Sequence, residues 1–282
     1  MFDPSDVELD QADATPRAQT RASSRRLWIG GGAVVVAAFA GWFLFLYLTR
    51  GPARTPAEAD QTPAAAATSP LGGAGDRIDL PPLDETDAIV AKLVHALSSH
   101  PTVMAWLTTD GLIRNFVVVV ENIAYGGRPA VHLGVIRPAA RFRVIERDGE
   151  FLLDPRSYER YAPTAAAADS IDPDAAARLY STLKPRIEEA YRELGRNESF
   201  DVALERAIVS LLQAPTLSGD VRLAPTGIVF GYESAAIERL TPAQKQLIRM
   251  GPRNMRLIQG TLHQIALALG IPPARLPQAR TL

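Results

Sequence analysis

Cysteine is absent from all 282 residues. Disulfides, thiolate catalysis and cysteine-ligated zinc are therefore excluded. The four histidines, His95, His100, His132 and His263, have no metal-ligand spacing among them, so neither a metal site nor a cofactor is expected. There is no Gly-x-Ser-x-Gly and no phosphate-binding glycine loop ahead of a Lys. An excess of positive charge is also missing. The net charge is −1, which argues against a general nucleic-acid binder.

Two local absences say more. Residues 27–49 contain no Asp, Glu, Lys, Arg or His. As a helix this stretch is about 35 Å long, against a hydrocarbon core of about 30 Å. In lipid a single segment can satisfy its own backbone only as a helix, so a single transmembrane helix is expected. Trp28 and Tyr47 sit near its two ends, where aromatic rings favour the headgroups. Arg17, Arg21, Arg25 and Arg26 precede it closely and only Arg50 and Arg54 follow closely. The positive-inside rule then puts the N-terminus in the cytoplasm and the rest outside it. The segment exceeds a signal-peptide core and no small-x-small site follows closely, so it is read as a retained anchor. Ala33, Ala37 and Gly41 form a small-xxx-small face that can pair two such helices into a homodimer.

The remaining chain divides by composition. Residues 1–26 read as a disordered cytoplasmic tail. Residues 50–79, rich in Ala, Pro, Thr and Gly, read as a flexible linker reaching about 30 Å. Residues 80–270 carry helical periodicity at 86–98, 101–107, 111–125, 172–194, 200–213, 241–250 and 252–269. Asp110, Asp172 and Thr241 are the expected caps, Pro185 the expected kink, and Gly195 a stop. Between them, alternating residues around Asp148-Gly149 predict a β-hairpin, and 221–223 with 228–232 are further strand candidates. The expected fold is mainly α with a minor β part: an anchor helix, then one helical extracytoplasmic domain with one or two hairpins. Residues 271–282 are left as a C-terminal tail.

The second absence concerns acid. No Asp or Glu follows Glu238, while Arg239, Lys245, Arg249, Arg253, Arg256, Arg275 and Arg280 do. Lys245, Arg249, Arg253, Asn254 and Arg256 lie around a helix start, where exposed N–H groups and guanidiniums suit an anion or an acidic partner. Internal pairing with the acid-rich stretch 169–205 is the plainer reading of the same residues. Arg114, Glu121 and Asn122 share one face of a core-like helix and form, with Arg160 and Tyr161, a candidate polar cluster. A buried hydrogen-bonded network fixing helix packing is the plainer reading of them. Asp169/Asp172 and Glu188/Glu189 are the carboxylate pairs a glycan hydrolase would need, although capping and solvation account for them.

Several blocks in order carry a family likeness: Leu80-Pro81-Pro82-Leu83-Asp84-Glu85-Thr86-Asp87, Ile113-Arg114-Asn115-Phe116-Val117 with Glu121-Asn122, Tyr158-Glu159-Arg160-Tyr161, Ala190-Tyr191-Arg192-Glu193-Leu194-Gly195, and Gln244-Lys245-Gln246-Leu247-Ile248-Arg249-Met250-Gly251-Pro252. Over residues 80–269 the chain resembles an uncharacterised bacterial membrane-anchored family catalogued as domain of unknown function number 3014. The family pattern has Asp where Glu121 and Glu233 stand. The resemblance implies a helical domain at the bacterial inner membrane, facing the periplasm, and implies no reaction. The expected function is that of a non-catalytic envelope interaction protein. Its partners would be the lipid bilayer and an envelope protein or anionic component. A glycan-acting hydrolase is the alternative.

Overall fold

The structure, a computed structural model, describes residues 7–9, 70–129, 133–134, 137–227 and 229–282. The expected membrane span, and the linker up to residue 69, lie outside the described residues. Among the described residues no helix is long and apolar enough to cross a membrane. A three-residue strand, β1 (Val7–Leu9), runs parallel to the start of β2, with Val7 opposite Phe142 and Leu9 opposite Val144.

The domain is mainly helical with a small open antiparallel sheet, and each part has its own core. The helical core is built by α1 (Asp87–Leu97), α3 (Leu112–Ala124), α5 (Pro173–Glu193), α6 (Phe200–Leu212) and the end of α9 (Pro252–Ala268). Ile113, Val117 and Val120 recur at four- and three-residue steps on α3 and, with Leu112, set its buried face. Phe200 is fully buried among the rings of Phe116, Tyr180 and Tyr191, with centroids 5.6, 6.3 and 5.3 Å away. The helix α2 (Pro101–Trp106) lies between α1 and α3 in the chain.

The sheet core is built on β2 (Phe142–Arg147), β3 (Glu150–Leu153), β4 (Arg222–Thr226) and β5 (Val229–Tyr232), paired antiparallel in that order. Asp148 and Gly149 turn the β2–β3 hairpin with φ of +55° and +79°, the left-handed pair that a two-residue turn requires. Against the sheet pack α7 (Ala235–Glu238), α8 (Pro242–Arg249) and the start of α9. Helix α9 thus joins both cores: Met255 belongs to the sheet side and Ala266 to the helical side.

Local signals match their elements in several places. The Asp172 carboxylate accepts from Ala175 N at 2.7 Å and starts α5. Thr241 and Gln244 form a reciprocal capping box on α8. Helix α5 continues through Pro185, although Ser181 O loses its amide donor there. Two readings change. Asp110 does not cap α3; the Asp87 carboxylate does, accepting from Gly111 N at 2.7 Å and Leu112 N at 2.8 Å. The run 155–169, in which no element is expected, forms a 3₁₀ helix (Pro155–Tyr161) and α4 (Ala162–Asp169).

Both boundaries of the domain also move outward. Leu71, read as linker, is buried in the helical core. Its N–H donates to Asp201 at 3.2 Å, Gly72 N to Leu269 O, and Asp76 N to the Thr182 hydroxyl at 2.9 Å. Gly75 passes so close to α5 that a Cβ would meet Thr182 N at 2.4 Å. Residues 70–80 are therefore a strap along α5. At the other end, Ile271 and Leu276 are buried and Thr281 bridges to Thr216, so 271–282 is docked rather than a free tail.

Candidate functional site: the basic start of the last helix

Helix α9 opens at Gly251, whose φ of +85° suits glycine and whose Cα lies against the Tyr158 ring. Asn254 then anchors the first turn, its amide donating to Tyr158 O and Met250 O, both at 2.8 Å. With Asn254 and Met255 buried, the helical period turns Arg253 and Arg256 outward. Both are exposed, three residues apart, and neither makes a hydrogen bond or ion pair with any described residue.

The other expected members of this group serve the fold. Lys245 is mostly covered and bonds the Glu238 carboxylate at 2.8 Å. Burial acts to raise the Glu238 carboxyl, but Lys245 and the Tyr232 N–H, which donates to Glu238 at 2.7 Å, hold it below the ordinary value. Arg249 turns inward, toward Gln246 Oε1 at 3.4 Å and the Tyr232 hydroxyl. Burial pushes that hydroxyl well above the usual tyrosine range. The acid-rich stretch 169–205 engages the C-terminal cations mainly through Arg275, which pairs with Glu205 at 2.7 Å. The basic surface thus contracts from five residues to Arg253 and Arg256.

The expected polar cluster does not assemble. Arg114 bridges Asp84 and Glu193, each at 2.7 Å, and Asn122 donates back to Val118 O within its own helix. Arg160 lies over the rings of Phe142 and Tyr161, and Tyr161 accepts from Gln246 at 3.1 Å. Arg114, Glu121 and Asn122 thus belong to the helical side, and Arg160 with Tyr161 to the seam between the 3₁₀ turn and α8.

Glu121 belongs to a different network, which pattern reading misses. The buried Tyr191 hydroxyl shares its proton between Glu121 at 3.3 Å and Glu198 at 3.2 Å. Burial, then the charge of Glu121, pushes that hydroxyl up to about 12. Arg196 bonds Glu121, Arg206 pairs with Glu198 at 3.8 Å, and both guanidiniums lie over Tyr125, at 4.8 and 4.6 Å. The available signal was the four-residue step from Glu121 to Tyr125. The carboxylates converge here, but each has its own arginine. Elsewhere Asp172 caps α5, Glu188 accepts from Ser199 Oγ and Phe200 N, and Glu189 pairs with Arg186. Among the described residues no group of His, Asp or Glu could hold a metal ion.

A family model described as a protein of unknown function, DUF3014, matches residues 112–266. The chain belongs to the DUF3014 family. The match begins at the first residue of α3 and ends within α9, so the DUF3014 region holds the four antiparallel strands, the Tyr158–Gly251 contact, Arg253 and Arg256. The strap, α1 and the docked C-terminal residues lie outside it. No curated protein and no solved structure matches the chain.

Proposed function

We propose that this DUF3014 chain is a membrane-anchored, non-catalytic interaction protein of the bacterial envelope. Its helical domain faces the periplasm, and its α9 start captures an anionic group of an envelope component. The observation that carries this reading is the pair Arg253 and Arg256, exposed and without an ion pair among the described residues on a helix whose neighbouring polar groups are internally bonded. The charge-free stretch 27–49 and its arginine flanks support the anchor. The hydrolase alternative gains no comparable support, because the converging carboxylates Glu121 and Glu198 are each neutralised by arginine.

The test is a double substitution, Arg253→Ala with Arg256→Ala, in the full chain held in neutral phosphatidylcholine nanodiscs. Binding to phosphatidylglycerol vesicles is measured together with Tm. At about 1 kcal/mol per arginine near an anionic surface, binding should weaken roughly thirtyfold while Tm holds. Unchanged vesicle binding would overturn the assignment, and a fall in Tm would show the arginines to be structural.

A further inference from the structure

Beside Arg256 a shallow, open cleft of about 310 Å³ lies between α9 and the turn between α4 and α5. Its wall on α9 is set by Arg256, Gly260 and Gln264, which follow at four-residue steps on one side of the helix. Opposite them stand Asp169, the last residue of α4, and Ile171. Asp169 is exposed and, like Arg256, makes no hydrogen bond or ion pair with any described residue. The two opposite charges thus face one cleft without neutralising each other.

Gly260 is the second observation. It lies in the interior of α9, where glycine costs about 1 kcal/mol relative to alanine. Its backbone φ is not left-handed, and a Cβ there would meet no atom within 4 Å. Neither backbone conformation nor close packing calls for glycine. Gly260 lines the cleft between Arg256 and Gln264, where a longer side chain would take up the space.

We propose that this cleft takes a zwitterion in which an ammonium is joined to a phosphate, as in phosphorylethanolamine. The phosphate lies on Arg256, with Arg253 one turn away, and the ammonium on Asp169. The Gln264 amide is free of described partners and can bond either end, while the apolar Ile171 faces the short carbon link. This rests on the anion-capturing reading of Arg256 and narrows it to one headgroup chemistry.

The experiment uses the full chain in uncharged detergent micelles, titrated calorimetrically with phosphorylethanolamine, phosphorylcholine and inorganic phosphate. Phosphorylethanolamine should bind best, since a quaternary ammonium cannot donate to Asp169. Asp169→Asn should remove that preference, weakening phosphorylethanolamine roughly tenfold while inorganic phosphate binds as well as before or more tightly, since a negative charge has left the cleft. Gly260→Leu should abolish binding of all three while Tm stays level or rises. Equal binding of phosphorylethanolamine and inorganic phosphate, both lost in Arg256→Ala, would sink the zwitterion and leave anion capture standing. Phosphate binding indifferent to Arg256→Ala would sink both, and full binding by Gly260→Leu would remove the cleft as the site. Doping the micelles with phosphatidylethanolamine against phosphatidylcholine separates the sources. A Tm rise specific to the former identifies a lipid headgroup, and binding of the soluble compound without that rise identifies a free one.

Discussion

The Asp87 carboxylate reaches across from the first residue of α1 and accepts from Leu112 N at 2.8 Å, so one helix caps the next. The same carboxylate takes Gly111 N at 2.7 Å, satisfying two donors that the start of α3 leaves open. Asp87→Ala should lower unfolding stability by about 1–2 kcal/mol, the range of a lost cap. Asp110→Ala, whose side chain bonds nothing described, should stay within about 0.5 kcal/mol. Chemical denaturation of the two variants side by side checks both.

Gly251 and Tyr158 make a second tight relationship. A Cβ on Gly251 would sit 2.3 Å from Tyr158 Cγ, at a φ that also disfavours any L side chain. Gly251→Ala should therefore cost about 1–3 kcal/mol. Adding Tyr158→Ala should recover only the part of the steric cost that comes from the ring, because the Cβ of residue 158 would still lie 2.7 Å away. It should recover none of the backbone cost, so the double variant remains less stable than Tyr158→Ala alone. Full recovery in thermal melts would show that backbone strain contributes nothing.

Asp154 gives the acid dependence. It is 3% exposed, bonded by the Arg156 side chain at 2.7 Å and approached by Arg143 at 3.4 Å. Burial acts to raise its carboxyl, but the bonds from Arg156 and the charge of both arginines hold it below the ordinary carboxylate value. A folded value below the unfolded one adds stability that is complete above about pH 4. That stability is lost as pH falls through the folded value. Asp154→Asn should be less stable near neutrality, and its stability should fall less steeply below pH 4. Parallel curves for variant and parent would contradict this.

The absence of cysteine makes topology measurable with single introduced thiols. In the proposed orientation Ser5→Cys is shielded from an impermeant maleimide in intact spheroplasts, while the exposed Gln278→Cys is labelled. A pairing of Val7 with Phe142 needs both on one side of the membrane, so the two labels decide between that pairing and the proposed crossing. Labelling of both positions to the same extent would support the pairing and overturn the crossing.

Elements announced by contiguous signals were legible from sequence. Thr241 with Gln244, Asp172 with Pro173, and Asp148-Gly149 each specify a local backbone geometry that tertiary packing did not alter. Helix α4 was not legible because Ala-Pro-Thr-Ala-Ala-Ala-Ala-Asp has no apolar period. Ala165 and Ala167 are buried only because α4 packs on neighbouring helices. The Asp87 cap depends on a partner 24 residues away, and the burial of Leu71 on a core assembled from distant helices. In the candidate site the excess of cations was legible. Which polar groups there bonded inward was not, since Lys245 and Asn254 find their partners only after folding.

The strap also fixes where the domain bears load. Tension arriving along residues before Pro70 meets the domain at Leu71, whose side chain is in the core and whose amide is held by Asp201. Asp201 is itself gripped by Lys184 and the Tyr180 hydroxyl, each at 2.5 Å, which ties α5 and α6 to the same point. Pulling would thus run along the length of α5 in shear, through Gly72, Gly75 and the Arg186 bond to Leu80 O. A domain attached this way resists detachment as a bolted plate does, by many bonds loaded together rather than one after another.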